Sequence, residues 1–399
     1  MLHAFGLDDN EETMSVRNSR GFTLVELMIT MVVFVLVIAG AAGIFTGLFT
    51  QFKQQSKITE SNIEGVVGLD TLRRDIEHAG YGLPWSFQNS ISYGEARRTP
   101  GSNYNDSPKN PPRALVSGNN VGVNGSDYLV IKAINVARNQ TCERWTVMQT
   151  PPFTPTYNPR VWIPESENLV KSDRVIVISA GGTSAVKTLV MDGSTFFTMF
   201  RNITSYPWSP SDAEGARVVY GVDSDTDLQM PFNRADYFIS SSNVPQRCAK
   251  HTGVLEKAVV NQGGGGLSFL PLLDCVADMQ VIYFLDMDGN GRPGTASNAD
   301  GTSTTTCCQD QPSESSYLDV VPQTLNDASD IRNRVKEVRV YILTHEGQKD
   351  INYRYANRTI TVGEFGLGST FDLQETIGTD WQHYRWKLYT LVVRPDNLR

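Results

Sequence analysis

The chain has few histidines and cysteines, and it lacks three common catalytic motifs. Its 399 residues contain no HExxH, no GxSxG and no GxxxxGK[ST] sequence. The glycine run at 263–266 lacks the strand-to-helix context of a phosphate-binding loop. The five histidines are scattered along the chain at positions 3, 78, 251, 345 and 383. We therefore expect a protein that is not an enzyme.

Cysteine is also scarce, and its spacing excludes the common zinc folds. The five cysteines are Cys142, Cys248, Cys275, Cys307 and Cys308. None falls in a CxxC pair, so a zinc ribbon is not expected. Disulfides can form if this part of the chain is exported, and an odd count leaves at least one thiol over. Two bridges among five cysteines leave the pairing open.

The chain lacks the basic excess of a nucleic-acid-binding protein. Its 35 basic and 43 acidic residues give a formal net charge of -8. General nucleic-acid binders normally carry a basic face. The apolar content of 40% is ordinary for a globular protein and is enough for a substantial core. We expect no general binding to nucleic acid.

Against this background, one long uncharged segment stands near the N-terminus. Residues 27–49 carry no charge, and a helix of that length spans about 34 Å, enough for a bilayer core. The segment is apolar on all faces, which is not typical of a core helix in a soluble protein. A secretory signal peptide would have a shorter apolar region with a small-residue cleavage site after it. Here a glycine, Gly21, precedes the apolar run.

Glu26 is an acidic residue at the start of this apolar run. A charged side chain inside a membrane helix costs roughly 2.5–3.5 kcal/mol on insertion scales and usually has a partner and a function. The run Arg20-Gly21-Phe22-Thr23-Leu24-Val25-Glu26 resembles the prepilin signal of type IV pilins and pseudopilins. The resemblance implies cleavage after Gly21 by a prepilin peptidase and methylation of the new N-terminal amine on Phe22. It also implies a role for Glu26 in subunit assembly.

The same resemblance implies a location and a set of partners. Residues 1–21 would be a cytoplasmic leader, although Met14 begins a shorter and more basic one and could be the true start. Residues 22–49 would cross the inner membrane once, among its lipids, with the rest of the chain in the periplasm and later on an extracellular pilus. Other minor and major pilins and the pilus assembly platform would be the partners.

The rest of the chain predicts an α+β fold. Residues 50–82 keep apolar positions at helical spacing up to Gly80, Gly82 and Pro84, so the helix should continue outside the membrane as an amphipathic half. Residues 83–399 should form a β-rich globular domain, with a loop insertion at about 289–330. Its short apolar runs are separated by turn residues and predict a mainly antiparallel sheet packed on the helix. The predicted strands are 128–136, 174–179, 187–191, 216–222, 237–240, 276–285, 335–344 and 386–393.

Three segments resemble PilW-type minor pilins in particular. They are residues 72–82 at the end of the helix, residues 276–289, and residues 384–395 near the C-terminus. This resemblance implies a minor pilin of a type IV pilus that joins or primes the filament, at its tip. The J-type pseudopilins of type II secretion systems share the same plan and remain an alternative. A third possibility is a surface-binding module or adhesin at the tip.

One loop has the pattern of a cation site. Asp286, Asp288 and Asn290 place oxygen atoms at alternate positions before a glycine, as in the first half of an EF-hand loop. Ser297 stands where the bidentate glutamate would be. The alternative is a polar turn at the end of a strand. The sequence thus raises calcium as a possible ligand of Asp286, Asp288 and Asn290, and predicts no other cofactor.

Overall fold

The computed structural model describes residues 21–137, 139–149, 158–179, 186–210, 215–307 and 321–398. The predicted leader up to residue 20, the middle of the predicted insertion and Cys308 lie outside these described residues. The chain divides into two compact units, the first ending at Gln55 and the second running from Ser56 to Arg399.

A single long helix, α1, runs from Leu24 to Glu77. Its ends follow the local sequence. Thr23 and Glu26 close its first turn, and Gly80 and Gly82 follow its last turn with φ values of 85° and 68°. Left-handed φ values suit glycine, which has no Cβ to clash. The helix predicted from residue 22 to residue 79 is therefore present, with slightly narrower bounds.

In the first unit, the apolar side chains of α1 are exposed. Phe22, Leu24, Phe34 and Phe45 are among them. The helix is long and apolar enough to cross a membrane by length and composition. Such exposure is costly in water and favourable in a bilayer or against other helices. The prepilin-type segment and this helix are consistent with anchoring in a membrane.

In the second unit, the last turns of α1 enter the main hydrophobic core. Leu69, Leu72, Ile76 and Ala79 are buried there, at the three- and four-residue spacing of one helix face. Gly68 allows the closest approach, because an added Cβ would lie 2.1 Å from the carbonyl oxygen of Leu272. The helix therefore packs directly on a β-strand, as the amphipathic pattern predicted.

The strand that it meets belongs to a nine-stranded sheet. Its central strand, β11, has 19 residues; its first half pairs with β10 and its second half with β14, both antiparallel. The strands are β2 (Leu115–Gly118), β3 (Tyr128–Ala133), β9 (Asn233–Ser240), β10 (Gly253–Val260), β11 (Leu267–Leu285), β12 (Thr295–Ser297), β13 (Ser303–Thr304), β14 (Val335–Glu346) and β17 (Arg385–Val393).

A second, six-stranded sheet lies in the middle of the sequence. Its main path is β1-β6-β5-β8-β4, which leaves β4 at an edge, and β7 pairs with β5. Among the strand pairings of its described residues, only the short β1–β6 pair is parallel. The strands are β1 (Ser86–Phe87), β4 (Trp145–Gln149), β5 (Arg174–Ser179), β6 (Thr188–Leu189), β7 (Thr198–Met199) and β8 (Ala216–Asp223).

A hairpin and three short α-helices are described outside the two sheets. The hairpin joins β15 (Thr359–Val362) to β16 (Ser369–Asp372). The helices are α2 (Val321–Thr324), α3 (Ala328–Arg334) and α4 (Leu373–Ile377). A long N-terminal helix with a mostly antiparallel β domain confirms the predicted α+β, pilin-like fold class.

Buried charges hold the loop before β2 against the large sheet. Lys132 Nζ lies 2.8 Å from Glu95 and 2.5 Å from Asp106, and Arg234 also reaches Glu95 at 2.8 Å. Arg234 pairs in addition with Asp236 at 2.7 Å. Burial alone would raise the pKa of Glu95, but the charges of Lys132 and Arg234 lower it. Because an unpaired buried charge is very costly, these partners depend on one another.

The described cysteines include both disulfide-bonded and free residues. Cys248 and Cys275 form a disulfide that closes a 27-residue separation. Cys307 is also disulfide-bonded. Cys142 is a free, buried thiol, and burial raises its pKa to about 12. A thiol with such a pKa is unreactive near neutral pH.

Candidate functional site

The predicted assembly residue, Glu26, lies in the first turn of α1 and contacts Thr23. The Glu26 N–H donates to Thr23 Oγ1 at 3.2 Å, and the Thr23 N–H donates back to Glu26 Oε2 at 2.9 Å. The Thr23 hydroxyl reaches the same carboxylate oxygen at 2.9 Å. This reciprocal pattern is a capping box, which satisfies two N–H groups that a helix start leaves without partners. Glu26 thus has a local role besides the one that the resemblance implies.

The predicted cleavage point lies just outside this capped turn. Gly21 and Phe22 precede the helix, and both are exposed. An added Cβ on Gly21 would meet nothing within 4 Å. The peptide bond between them is therefore not held by helical hydrogen bonds or by packing within the described residues. Such a segment can extend into the cleft of a peptidase, so this geometry suits the predicted role of Gly21 and Phe22.

The predicted calcium loop is organised around one of its own carboxylates. Asp286 Oδ1 accepts the N–H of Gly289 at 2.7 Å, and Oδ2 accepts that of Gly291 at 2.8 Å. Asp288 and Asn290 are exposed and contact each other, with Asn290 Nδ2 3.0 Å from Asp288 Oδ2. The loop brings the three residues together, with Asp286 turned inward onto the backbone. Calcium binding by them stays a prediction.

A second group of potential metal ligands, which the sequence did not suggest, lies elsewhere. Within the described part of the chain, Cys248, Cys275 and His345 place ligand atoms within 4.8 Å of one another. The two sulfurs are bonded to each other, so they are not available as thiolates. His345 instead supports the backbone, since its Nε2 accepts the Ala249 N–H at 2.8 Å. The arrangement is that of a packed disulfide beside a buried histidine.

A pocket on the small sheet was also missed from the sequence. Trp145 and Trp162 stand with ring centroids 4.9 Å apart beside Glu143 and Glu167. The two tryptophans are 17 residues apart and belong to different local structures, so no local motif joins them. The only signal in the sequence was two tryptophans in a region with no family resemblance.

Comparison with known proteins agrees with the N-terminal segment. Residues 16–42 match the family described as the prokaryotic N-terminal methylation motif. No curated protein and no solved structure shows a significant match to the chain. The match spans the predicted cleavage point, Glu26 and the first part of α1. This prepilin-type signal, continued in an exposed apolar helix, supports a type IV pilin-like protein.

Proposed function

We propose that the chain is a minor pilin of a type IV pilus, of the PilW type, that joins other pilins in the complex that primes the filament and remains at its tip. The proposal rests on one observation, which is that α1 combines three features of a pilin subunit. A prepilin-type signal leads into an exposed apolar stretch, and the same helix ends in the core of a β-rich domain. A pilin subunit needs these three features to be processed, stored in a membrane and assembled.

Before assembly, the protein is held in the inner membrane with its second unit in the periplasm. Removal of the leader by the prepilin peptidase exposes the amine of Phe22. The apolar side chains of α1 then exchange lipid for the helices of neighbouring subunits, which costs little because both surroundings are apolar. Glu26 pairs with the amine of a neighbour, so that neither charge stays uncompensated in apolar surroundings.

The size of the second unit supports a minor role. Residues 56–399 belong to it, and they carry two sheets. A domain of this bulk is difficult to repeat along a tightly packed filament, but it meets no such limit at the tip. The segments 72–82, 276–289 and 384–395, which resemble PilW-type proteins, lie in this unit.

Deletion of the gene tests the proposal. We expect few or no surface pili, with recovery when the full chain is supplied in trans and when the second unit carries a small epitope tag. Immunogold labelling of that tag should fall at pilus ends. Normal piliation in the deletion strain, or labelling evenly along the filament, would contradict the proposal.

The same experiment separates the two alternatives. A J-type pseudopilin would leave pili intact and abolish export of a type II secretion substrate, because its filament stays in the periplasm. A tip adhesin would leave both pili and secretion intact and reduce only attachment to surfaces. Secretion and attachment assays on the same strains therefore assign the deletion to one of the three roles.

A further inference from the structure

The pocket that Trp145 and Trp162 help to line has no role in filament assembly as proposed above. It lies on the edge of the small sheet, where β4 is the last strand. Its volume is about 200 Å³, and Glu143, Trp145, Trp162, Ile163 and Glu167 line it. Ile163 is 97% exposed at its rim. An open pocket of this kind indicates a binding surface for a small group.

The walls of the pocket are held in place by the chain itself. The segment that carries Trp162 is bound to β4, since Thr146 Oγ1 donates to the Arg160 carbonyl at 2.6 Å. The side chain of Asn168 spans the following turn. It accepts the N–H of Trp162 at 2.7 Å and donates to the carbonyl of Trp162 at 2.8 Å. A ligand therefore meets a site that is already ordered, and ordering costs it little affinity.

The hydrogen bonds inside the pocket decide which ligands fit. The indole N–H of Trp162 donates to the carbonyl of Trp145 at 2.7 Å, so the Trp162 ring offers only its face. Apart from the indole N–H of Trp145, the other polar groups of the lining are the carboxylates of Glu143 and Glu167, which accept hydrogen bonds and donate none. Among the described residues, neither carboxylate forms an ion pair. A sugar or another hydroxyl-rich ligand would find acceptors but few donors.

The charges of the pocket select a cation. Two carboxylates stand beside two indole faces, and an indole face is itself attractive to positive charge. Arg160 already lies against the Trp162 ring, with its guanidinium 4.3 Å from the ring centre, so the two carboxylates and this guanidinium leave a net charge of −1 for a ligand cation. Of the organic cations, a quaternary ammonium group fits best. It is weakly hydrated and loses little on leaving water, whereas a primary ammonium would have to exchange its strong hydration for contacts with the two carboxylates.

We propose that the pocket lined by Trp145, Trp162, Glu143 and Glu167 binds a quaternary ammonium group. The site takes the cationic end of a small molecule or headgroup, with the methyl groups against the indoles and the charge facing the carboxylates. This function is independent of filament assembly, and its failure would leave the proposed pilin role unchanged.

Titration of the full chain with choline tests the site. The protein is kept in a nonionic polyoxyethylene detergent, which has neither a choline nor a sugar headgroup, and ionic strength is matched with sodium chloride. Tryptophan fluorescence and calorimetry should show saturable binding, with a dissociation constant on the order of 1 mM. The neutral isostere dimethylbutanol, in which a tert-butyl group replaces the trimethylammonium, should bind at least about tenfold more weakly.

Substitutions then locate the binding. The double variant Glu143→Gln, Glu167→Gln should bind choline about tenfold more weakly and leave the affinity for dimethylbutanol unchanged. Trp162→Leu should abolish the saturable signal. The matched control is Glu165→Gln, a neighbouring exposed carboxylate that does not line the pocket and should bind choline normally. Unchanged melting temperatures confirm that the variants are folded.

Four outcomes would overturn the proposal. The first is the absence of saturable choline binding. The second is equal affinity for choline and dimethylbutanol, which would make the pocket merely apolar. The third is unchanged choline affinity in the double glutamate variant, which would place the site elsewhere. The fourth is saturable binding of glucose without binding of choline, which would make the pocket a sugar site.

Discussion

At the scale of single residues, the carboxylate of Glu26 has one role in the helix cap and a second, proposed role in pairing with a neighbouring subunit. In the single chain it closes the first turn of α1 with Thr23 through hydrogen bonds of 2.9–3.2 Å. In a filament it would also neutralise the amine of a neighbouring subunit. The capping function needs only a hydrogen-bond acceptor, whereas pairing with an amine needs a negative charge. Substitutions can therefore separate the two.

Glu26→Gln keeps an acceptor for the cap and removes the charge. We expect this variant to insert and fold normally, but to enter filaments at least about tenfold less than wild type, because ~1.4 kcal/mol of lost pairing is already a factor of ten. Glu26→Ala removes the cap acceptor as well as the charge, and it should enter filaments equally poorly. Thr23→Val, which loses the cap hydroxyl and keeps the charge, is the control and should assemble normally. Quantitative immunoblots of sheared pili measure all three, and normal incorporation of Glu26→Gln would refute the pairing role.

His345 is the residue whose protonation the fold opposes most clearly. It is buried against Tyr384 and Trp386, with ring centroids 4.5 and 5.3 Å away. Burial, with a smaller contribution from the charge of Arg247, lowers the pKa of His345 from 6.5 to about 3. The folded protein therefore keeps a neutral imidazole where the unfolded chain takes up a proton.

The consequence is a loss of stability in mild acid. Because the folded pKa is depressed, the contribution of His345 is fully present above pH 6.5 and falls as the pH decreases from 6.5 toward 3. His345→Gln keeps an acceptor for the Ala249 N–H but does not titrate. Between pH 7.5 and pH 5, wild type should lose about 2 kcal/mol more unfolding free energy than the variant. Denaturant titrations at several pH values measure this, and parallel curves for the two proteins would contradict it.

At the scale of elements, the contact between α1 and β11 depends on a missing side chain. Gly68 faces the backbone of Leu272. Further along the same helix, Asp75 is buried. Lys257 Nζ lies 2.5 Å from its carboxylate, and the hydroxyl of Tyr237 donates to the same group. The helix is thus held by close backbone packing at one point and by a buried polar contact about two turns later. Lys257 lies in β10 and Tyr237 in β9, so movement of the helix away from the sheet would disturb both contacts.

Gly68→Ala tests this packing. Alanine favours helix by about 1 kcal/mol over glycine, so the substitution would stabilise an isolated helix. Here its Cβ would lie 2.1 Å from a carbonyl oxygen, and we expect a net loss of about 1–3 kcal/mol in unfolding free energy. The matched control is Gly65→Ala, whose nearest neighbour is the end of the Tyr389 side chain at 3.1 Å, and it should be close to neutral. Equal stability of the two variants, measured by thermal melting, would show that the contact is loose.

Strands could be predicted where a local run of apolar residues coincides with a strand that pairs in the folded sheet. The strand Arg174–Ser179 has the predicted bounds. The strand predicted at 335–344 begins as predicted and continues slightly further, to Glu346. β10 was missed because Glu256 and Lys257 interrupt its apolar pattern, and Lys257 is buried only through its pairing with Asp75. β11 begins at Leu267, well before the predicted residue 276, although Pro271 argues against a strand in sequence.

At the scale of the whole molecule, the two candidate sites differ in how they are encoded. The prepilin-type segment is contiguous, so its residues can be read in order and its match covers residues 16–42. The tryptophan pocket joins residues 143–167 through hydrogen bonds of Asn168 and Thr146 that no spacing rule describes. The buried pairs of Lys132 and Arg234 likewise depend on a loop 26 or more residues away. Local chemistry was therefore predictable, and chemistry assembled by folding was not.

We propose that this chain is made as a precursor, cut within the segment before α1 and then assembled. The most direct test is the N-terminus of the mature protein, purified from membranes and read by mass spectrometry and sequencing. We predict that it begins at Phe22 with a methylated amine, whether translation starts at Met1 or at Met14. Cells without the prepilin peptidase should retain the leader and serve as the control. A mature chain that keeps Gly21, or that begins at any residue other than Phe22 in cells with the peptidase, would contradict the account.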